Sequence, residues 1–226
     1  MKLAALFSGG KDSTLAIYKA MKKHEISCLI TIKSLNPDSY MFHTPAIDLT
    51  KLQAKSVNIP LITVETKGIK EVELNDLKTA IKKAISDYNI EGIITGAVES
   101  VYQATRIQKI CNELDLWCFN PIWQKDQIEL LKELVQNNLK VIFTGIAAYP
   151  LDETWLGKEI NNEIIEKLIE YQKKYKINPA GEGGETESLV TYAPFFKKKI
   201  LIKNYEIDYE NHAGRMNITE AVLKWF

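Results

Sequence analysis

The chain has 226 residues, of which 46% are hydrophobic, and its 29 lysines and arginines balance its 29 aspartates and glutamates. This composition excludes disordered, collagen-like and low-complexity proteins, and the length suffices for a well-buried core. A net charge of zero offers no global attraction to a polyanion, so we expect no direct nucleic-acid partner.

The cysteines and histidines form no CxxC, HxH or HExxH pattern, so we expect no metal site built from them. They are Cys28, Cys111, Cys118, His24, His43 and His212. An odd number of cysteines suits reduced thiols. The apolar runs at residues 3–7 and 141–151 are too short for a signal-peptide core and for a span of about 20 residues, respectively. We therefore expect a cytoplasmic protein with no membrane association.

In the first half of the chain, short apolar runs alternate with segments of helical periodicity. Strands are predicted at Leu3–Phe7, Cys28–Ile32, Leu61–Val64, Gly92–Thr95 and Trp117–Phe119. Helices are predicted at Asp12–Lys23, Ala46–Val57, Leu74–Tyr88 and Ser100–Leu114. This alternation predicts a Rossmann-like α/β fold, in which a parallel sheet carries helices on both faces.

The second half predicts a smaller C-terminal α/β region. Its predicted elements are helices at 126–136 and 159–175 and strands at 140–146, 189–192 and 200–205. We place the domain boundary after Ile122, which gives domains of residues 1–122 and 123–226. No Gly/Ser linker separates them, so we expect the two parts to pack together.

The segment Ser8-Gly9-Gly10-Lys11-Asp12-Ser13 follows the first predicted strand and opens the first predicted helix. Two glycines allow close approach of an anion, and N–H groups at a helix start favour phosphate. Lys11 would neutralise phosphate charge, whereas Asp12 suits a magnesium ion. The alternative is a Gly-Gly turn with a polar helix cap. Neither a Walker loop nor a GxGxxG turn occurs here.

Two further segments carry candidate functional residues. Residues 96–106 follow a predicted strand and end at Arg106, which lies two turns into a helix and is long enough to reach a phosphate. The alternative is a solvated helical arginine. Residues 180–188 contain three glutamates and three glycines. Such a loop can bind magnesium or a cationic group, and the alternative is a charged, solvated loop.

The segment Ser8–Ser13 resembles the SGGxDS loop of the PP-loop, or N-type, ATP pyrophosphatases and matches it in full. This resemblance implies an adenine nucleotide alpha hydrolase-like fold in which the loop binds the β- and γ-phosphates of ATP. Members of that superfamily adenylate a carboxylate or carbonyl, release pyrophosphate, and let a nitrogen or sulfur nucleophile displace AMP.

Three segments together resemble a narrower family, the diphthine–ammonia ligases, which amidate diphthine on translation elongation factor 2. The pattern G-A-x-x-S-x-Y-Q-x-x-R is matched at Gly96, Ala97, Ser100, Tyr102, Gln103 and Arg106. The pattern P-[LI]-W is matched at Pro121, Ile122 and Trp123. The pattern E-G-G-E-[aromatic]-E-[TS] is matched at Glu182, Gly183, Gly184, Glu185, Glu187 and Ser188. Thr186 stands where an aromatic residue is usual, a departure that concerns the shape of one substrate wall.

The resemblance implies a role for each matched group, with ATP and magnesium as cofactors. The nucleotide would be held by Ser8, Gly9, Gly10, Lys11, Asp12, Ser13, Gly96, Tyr102 and Gln103. The acceptor side would be lined by Glu182, Gly183, Gly184, Glu185 and Glu187. Asp12 would bind magnesium, and the expected catalytic residues are Asp12, Arg106 and Glu185.

The resemblance also implies the other reactants. Diphthine carries a trimethylammonium group, which aromatic faces and a carboxylate would bind. We hypothesise a pocket of Glu185 or Glu187 with aromatic residues chosen from Trp123, Tyr149, Trp155 and Tyr192; the alternative is that these aromatics are core residues. The chain carries no recognisable glutaminase nucleophile, so free ammonium is the expected nitrogen source.

Two other functions remain open from the sequence. One is a PP-loop ATP pyrophosphatase that acts on a small carboxylic acid or on tRNA. The other is a protein that binds ATP or AMP without turnover. Retention of both Asp12 and the acidic loop favours catalysis, because a pure nucleotide binder needs no second acidic centre. The oligomeric state is also open, with a homo-oligomer as one alternative.

Overall fold

The computed structural model describes residues 1–36 and 46–225, so His43 lies outside the described residues. The first half of the chain alternates strands with helices. The strands are β1 (Lys2–Leu6), β2 (Glu25–Ser34), β3 (Leu61–Thr66), β4 (Gly92–Ile94) and β5 (Trp117–Phe119). The helices are α1 (Lys11–Ala20), α2 (Thr50–Val57), α3 (Glu73–Tyr88) and α4 (Val101–Glu113).

The five strands form a parallel sheet in the order β3-β2-β1-β4-β5, which confirms the predicted fold class. The chain moves outward from β1 to β3 and then returns to the other side of β1 to add β4 and β5. Such a reversal leaves a crevice beyond the carboxyl ends of the central strands. Residues 8–10, which follow β1, therefore lie at this crevice.

The alternation of side chains along β1 explains why helices cover both faces of the sheet. Leu3 and Ala5 are buried in one apolar cluster, together with Leu15 of α1. Ala4 is buried in a second cluster, together with Leu77 of α3. Because successive residues of a strand point to opposite faces, each face needs its own layer of helices.

The second half of the chain forms a separate antiparallel sheet. Its elements are α5 (Gln127–Gln136), β6 (Lys140–Ala147), α6 (Asn162–Tyr175), β7 (Thr186–Tyr192), β8 (Lys199–Glu210) and β9 (Ala213–Lys224). The strand order is β7-β6-β9-β8. Within the described ranges, no helix is both long and apolar enough to cross a membrane.

The hairpin of β8 and β9 is where the structure differs most from the prediction. The strand predicted at residues 200–205 covers only part of β8, and β9 is not predicted at all. Both strands are largely exposed, so neither has the continuous apolar run of a buried strand. Their two-residue turn consists of Asn211 and His212, which both have positive φ. Such turns favour asparagine because it tolerates this conformation. Asn211 was therefore the residue in the sequence that could have indicated the turn.

The two sheets share one apolar cluster, as expected from the lack of a linker. Leu15 of α1, Leu130 of α5, Val141 of β6 and Leu189 of β7 are all buried in it. The predicted boundary after Ile122 falls between β5 and α5 and stays a prediction.

Leu134 of α5 tests this shared core. The side chain is fully buried in the cluster, so Leu134→Ala should lower the free energy of unfolding by about 2–5 kcal/mol. The matched control is Leu35→Ala, because Leu35 is 62% exposed, and its effect should stay within about 0.5 kcal/mol. Urea unfolding of both variants measures the difference. Equal effects would contradict the assignment of the core.

Candidate active site

A cavity of about 250 Å³ lies at the carboxyl end of β1. One part of its wall is polar and contains Ser8, Asp12 and Ser13. Another part is apolar and contains Ile30 and Ile32 of β2. The cavity therefore combines polar groups at the start of α1 with an apolar wall.

The loop at residues 8–10 is shaped by its two glycines. Gly9 has a φ of +80°, and a Cβ there would overlap the side-chain oxygen of Gln53. Gly10 precedes α1 with an extended backbone. The hydroxyl oxygens of Ser8 and Ser13 lie 3.2 Å apart, and the Ser8 Oγ accepts a hydrogen bond from the Gly10 N–H at 3.4 Å. The predicted loop residues are thus brought together around the first turn of α1.

Gln53 of α2 forms hydrogen bonds that fix this loop, and the sequence did not predict this role. It is fully buried, and its Nε2 donates to the main-chain oxygen of Gly9 at 2.9 Å and to that of Val190 at 2.8 Å. The available signal was its place on the buried face of α2, between Thr50 and Val57. A polar residue at such a position usually makes a specific hydrogen bond.

The side chains of residues 96–106 lie in two different places, the cavity and a separate groove. Gly96 and Gln103 line the cavity. A Cβ on Gly96 would lie 2.7 Å from the Ser13 nitrogen, so this glycine permits the close approach of α1. The Oγ of Ser100 caps α4 by accepting from the Gln103 N–H at 3.3 Å.

Arg106 lies instead in a groove between α3 and α4. Its Nη2 donates to Oε1 of Glu71 at 2.9 Å, and its guanidinium lies 4.0 Å from the centre of the Tyr102 ring. The Tyr102 hydroxyl donates to the same Glu71 oxygen at 2.9 Å. Hydrogen bonds from Arg106 and then Tyr102 lower the pKa of Glu71. The structure therefore separates Arg106 and Tyr102 from the cavity-lining Gln103, and their predicted contacts with the nucleotide stay predictions.

The acidic loop before β7 is folded around Glu185. Its Oε1 accepts from the backbone N–H and the side-chain amide of Asn178, at 3.0 and 2.8 Å, and its Oε2 accepts from the Gly183 N–H at 2.8 Å. Gly181 and Gly184 supply positive φ values of 77° and 89°. Both oxygens of Glu185 thus stabilise the loop itself, and its predicted catalytic role stays a prediction.

Glu182 of the acidic loop responds to the charge of the loop after β1. Burial, followed by the negative charge of Asp12, raises the pKa of Glu182 to about 7. The buried Lys11 pairs with Asp12, with Nζ 2.7 Å from Oδ2. The predicted phosphate loop and the predicted acceptor loop therefore interact electrostatically at one site.

The arrangement around Asp12 fits a magnesium ion. Its Oδ1 is buried and, among the described residues, lacks a hydrogen-bond partner. No group of three or more His, Cys, Asp or Glu side chains in residues 1–36 and 46–225 could hold a metal ion. Magnesium commonly needs only one or two carboxylates, because phosphates and water supply its other ligands. An orphaned carboxylate oxygen beside the predicted phosphate loop meets that requirement.

Glu187 lies in the second sheet, where β7 and β9 flank β6. Gly145 of β6 pairs with Glu187 on one side and with Arg215 on the other. Burial raises the pKa of Glu187 to about 7, against the opposing charge of Arg215. The absence of a side chain on Gly145 leaves room for Glu187, whose Cβ would lie 3.1 Å from a Cβ at Gly145.

The four aromatic residues proposed for a trimethylammonium pocket occupy different surroundings. Trp155 is only 3% exposed and packs against Phe143, with ring centres 5.6 Å apart. Tyr149 is 58% exposed and contacts the rings of Tyr175 and His212. Tyr192 contacts the ring of Phe196, and Trp123 is half-buried. The pocket stays a prediction, with Tyr149 as its most exposed member.

The raised pKa of Glu187 predicts a pH-dependent loss of stability. Between pH values of about 4.5 and 7 the folded protein holds a proton that the unfolded chain releases, so stability falls as the pH rises. Glu187→Gln should remove this contribution, which is about 1–3 kcal/mol between about pH 5 and pH 8. Urea unfolding at both pH values measures it. The control is Glu206→Gln on the exposed part of β8, and equal pH dependence in all three proteins would contradict this account.

Comparison with known proteins identifies related chains. Residues 1–117 match the model of the diphthamide synthase N-terminal domain, and residues 126–223 match that of the C-terminal domain. The diphthine–ammonia ligase of Schizosaccharomyces pombe is 33% identical over 96% of this chain, which spans 38% of the length of that protein. The diphthine–ammonia ligase of Bos taurus is 33% identical over 92% of this chain and 85% of its own length.

A solved structure is also similar. It is a predicted subunit of tRNA methyltransferase from Methanocaldococcus jannaschii, 16% identical, with a TM-score of 0.43 over 86% of this chain and 98% of that chain. The strand order of the two sheets, independently of this similarity, defines the fold.

Proposed function

We propose that this chain, which belongs to the diphthamide synthase family, is an ATP-dependent ligase that converts diphthine on translation elongation factor 2 to diphthamide. The observation that carries the proposal is the contact between β7, which follows the acidic loop, and the loop after β1, where the Lys11 N–H donates to Oγ of Ser188 at 3.2 Å. One site then has groups for both a phosphate and a cationic acceptor. The relatives named diphthine–ammonia ligase support the same acceptor.

The cavity supports the nucleotide half of the proposal. Its polar wall would take the phosphates of ATP at Ser8–Ser13, where N–H groups at the start of α1 favour an anion. Its apolar wall, with Ile30 and Ile32, would take the adenine. Gly96 and Gln103 would complete the nucleotide site from the loop after β4 and from α4.

A magnesium ion at Asp12 would neutralise phosphate charge and favour the departure of pyrophosphate. Lys11 is already paired with Asp12 and would add a second positive charge beside the phosphates. Arg106 would reach the nucleotide only after leaving Glu71, so the Glu71 pair holds this arginine away from the cavity until then.

In the proposed reaction, a carboxylate oxygen of diphthine attacks the α-phosphorus of ATP, and pyrophosphate leaves. Ammonia, formed from ammonium by loss of a proton, then attacks the acyl carbon. AMP leaves with the oxygen, and the nitrogen loses a proton to give the amide. The contribution of the protein is to position the reactants and to stabilise charge. Glu182, Gly183 and Gly184 would lie on the acceptor side, in a loop whose shape Glu185 maintains. Glu187 of β7 would lie on the same side.

The first test is a reaction with defined components. We expect AMP and pyrophosphate to form from ATP only when ammonium and elongation factor 2 carrying diphthine are both present. The mass of the factor should fall by about one unit, because OH becomes NH₂. The control omits ammonium or replaces it with glutamine, which should give little amide.

Other outcomes would identify the alternatives. AMP formation with no change in the factor would direct the search to small carboxylic acids or tRNA. Binding of ATP without AMP formation under any condition would indicate a nucleotide-binding protein without turnover. Either result would contradict the proposed ligase.

Asp12→Asn tests the magnesium site. We expect turnover to fall at least about 100-fold and the magnesium concentration for half-maximal rate to rise, because the amide lacks the charge that attracts the ion. Asp115→Asn is the control, since Asp115 is exposed in a turn with positive φ, which asparagine tolerates. An unchanged magnesium dependence in Asp12→Asn would show that Asp12 is not a ligand.

A further inference from the structure

We infer that Ser188, the last residue of the acidic motif, belongs to the phosphate site, where its hydroxyl donates a hydrogen bond to a phosphate oxygen of the bound nucleotide. The inference rests on the nucleotide half of the proposed function. It makes β7 the element that sets the position of the acceptor loop relative to ATP.

The first observation is the position of the Ser188 side chain. The Lys11 N–H at the start of α1 donates to Oγ of Ser188 at 3.2 Å. A Cβ on Gly10 would lie 3.5 Å from Oγ of Ser188 and equally 3.5 Å from Oγ of Ser8. Both hydroxyls therefore lie near the position that a Gly10 side chain would take, in the loop that is proposed to bind phosphate.

The second observation is that β7 is fixed against this loop. The Val190 N–H donates to the main-chain oxygen of Gly9 at 3.0 Å. Gln53 joins the same two residues through its donations to the oxygens of Gly9 and Val190. Ser188, two residues before Val190, is therefore held next to the loop by contacts other than its own.

The third observation concerns the proton of the hydroxyl. A serine that accepts a hydrogen bond can donate one as well. Within residues 1–36 and 46–225, the Ser188 hydroxyl donates a hydrogen bond to no protein acceptor. The residue is half-buried, so a ligand can reach it. The first N–H groups of a helix have no partner within the helix and can bind an anion directly. Here the Lys11 N–H polarises Ser188, whose O–H then extends toward the anion.

The position of Ser188 has a consequence for the acceptor. Glu187 and Ser188 are neighbours in β7, so their side chains point to opposite faces of the strand. A phosphate that orders Ser188 also orders the start of β7, and with it the loop that carries Glu182 and Glu185. The nucleotide would thus position the acceptor loop for the attack on the α-phosphate.

The test measures ligand binding by calorimetry, without acceptor, to the full chain and three variants. The ligands are α,β-methylene ATP with magnesium, pyrophosphate with magnesium, and AMP. Ser188→Ala should raise the Kd of the first two ligands by about 10- to 100-fold, as expected for a lost hydrogen bond to a charged group. The Kd of AMP should stay unchanged, since AMP lacks the phosphates in question.

Two further variants separate binding from structure. Ser188→Thr keeps the hydroxyl and should restore binding of pyrophosphate to within about 3-fold of the original chain. Thr191→Ala removes another hydroxyl of β7, one that bonds to the Lys140 oxygen, and should change no Kd.

Several results would overturn the inference. They are an unchanged Kd for pyrophosphate in Ser188→Ala, an equal loss of affinity for AMP, and failure of Ser188→Thr to restore binding. An unchanged Kd in Ser188→Ala would leave the proposed ligase standing. Conversely, failure of the ligase assay with normal nucleotide binding would leave the role of Ser188 intact.

Discussion

The hydrogen bonds to the main-chain oxygen of Gly9 are the contact on which the site depends. This oxygen accepts from Nε2 of Gln53 at 2.9 Å and from the Val190 N–H at 3.0 Å. Gly9 has a positive φ, and the Gln53 side chain fills the space that a Cβ would need. A loop of small residues is flexible by itself. It acquires one shape here because α2 and β7 hold it from two sides.

The second constraint is the concentration of negative charge. Burial and the charge of Asp12 raise the pKa of Glu182, and burial of carboxylates is costly without a cation. Lys11 compensates only part of that charge through its pair with Asp12. The remaining acidity favours a cationic ligand, either magnesium at Asp12 or the positive group of the acceptor. The raised pKa of Glu182 follows from its burial and from the nearby charge of Asp12.

The parallel half of the fold was predictable because its central strands, such as β1 and β4, are largely buried and appear as continuous apolar runs. The hairpin of β8 and β9 was not, because its residues are mostly exposed. The glycine-rich loop was located by its residue types. The contacts of Gln53 and Arg106 were not predictable, since their partners are distant in sequence. Gln53 bonds to Gly9 and Val190, and Arg106 bonds to Glu71. Helical spacing alone cannot show which face of α4 meets the cavity.

Thr186, which replaces the usual aromatic residue, can be understood from the same strand. Its side chain points to the same face of β7 as Ser188 and lies against Gly181, where a Cβ would overlap its Oγ1. Position 186 thus packs against the turn at the start of the acidic loop. A change of side-chain size there acts first on the loop that carries Glu182 and Glu185. Because Ser188 anchors the other side of that short segment to the loop after β1, the position of the acidic loop relative to α1 depends on the packing of Thr186 as well as on β7.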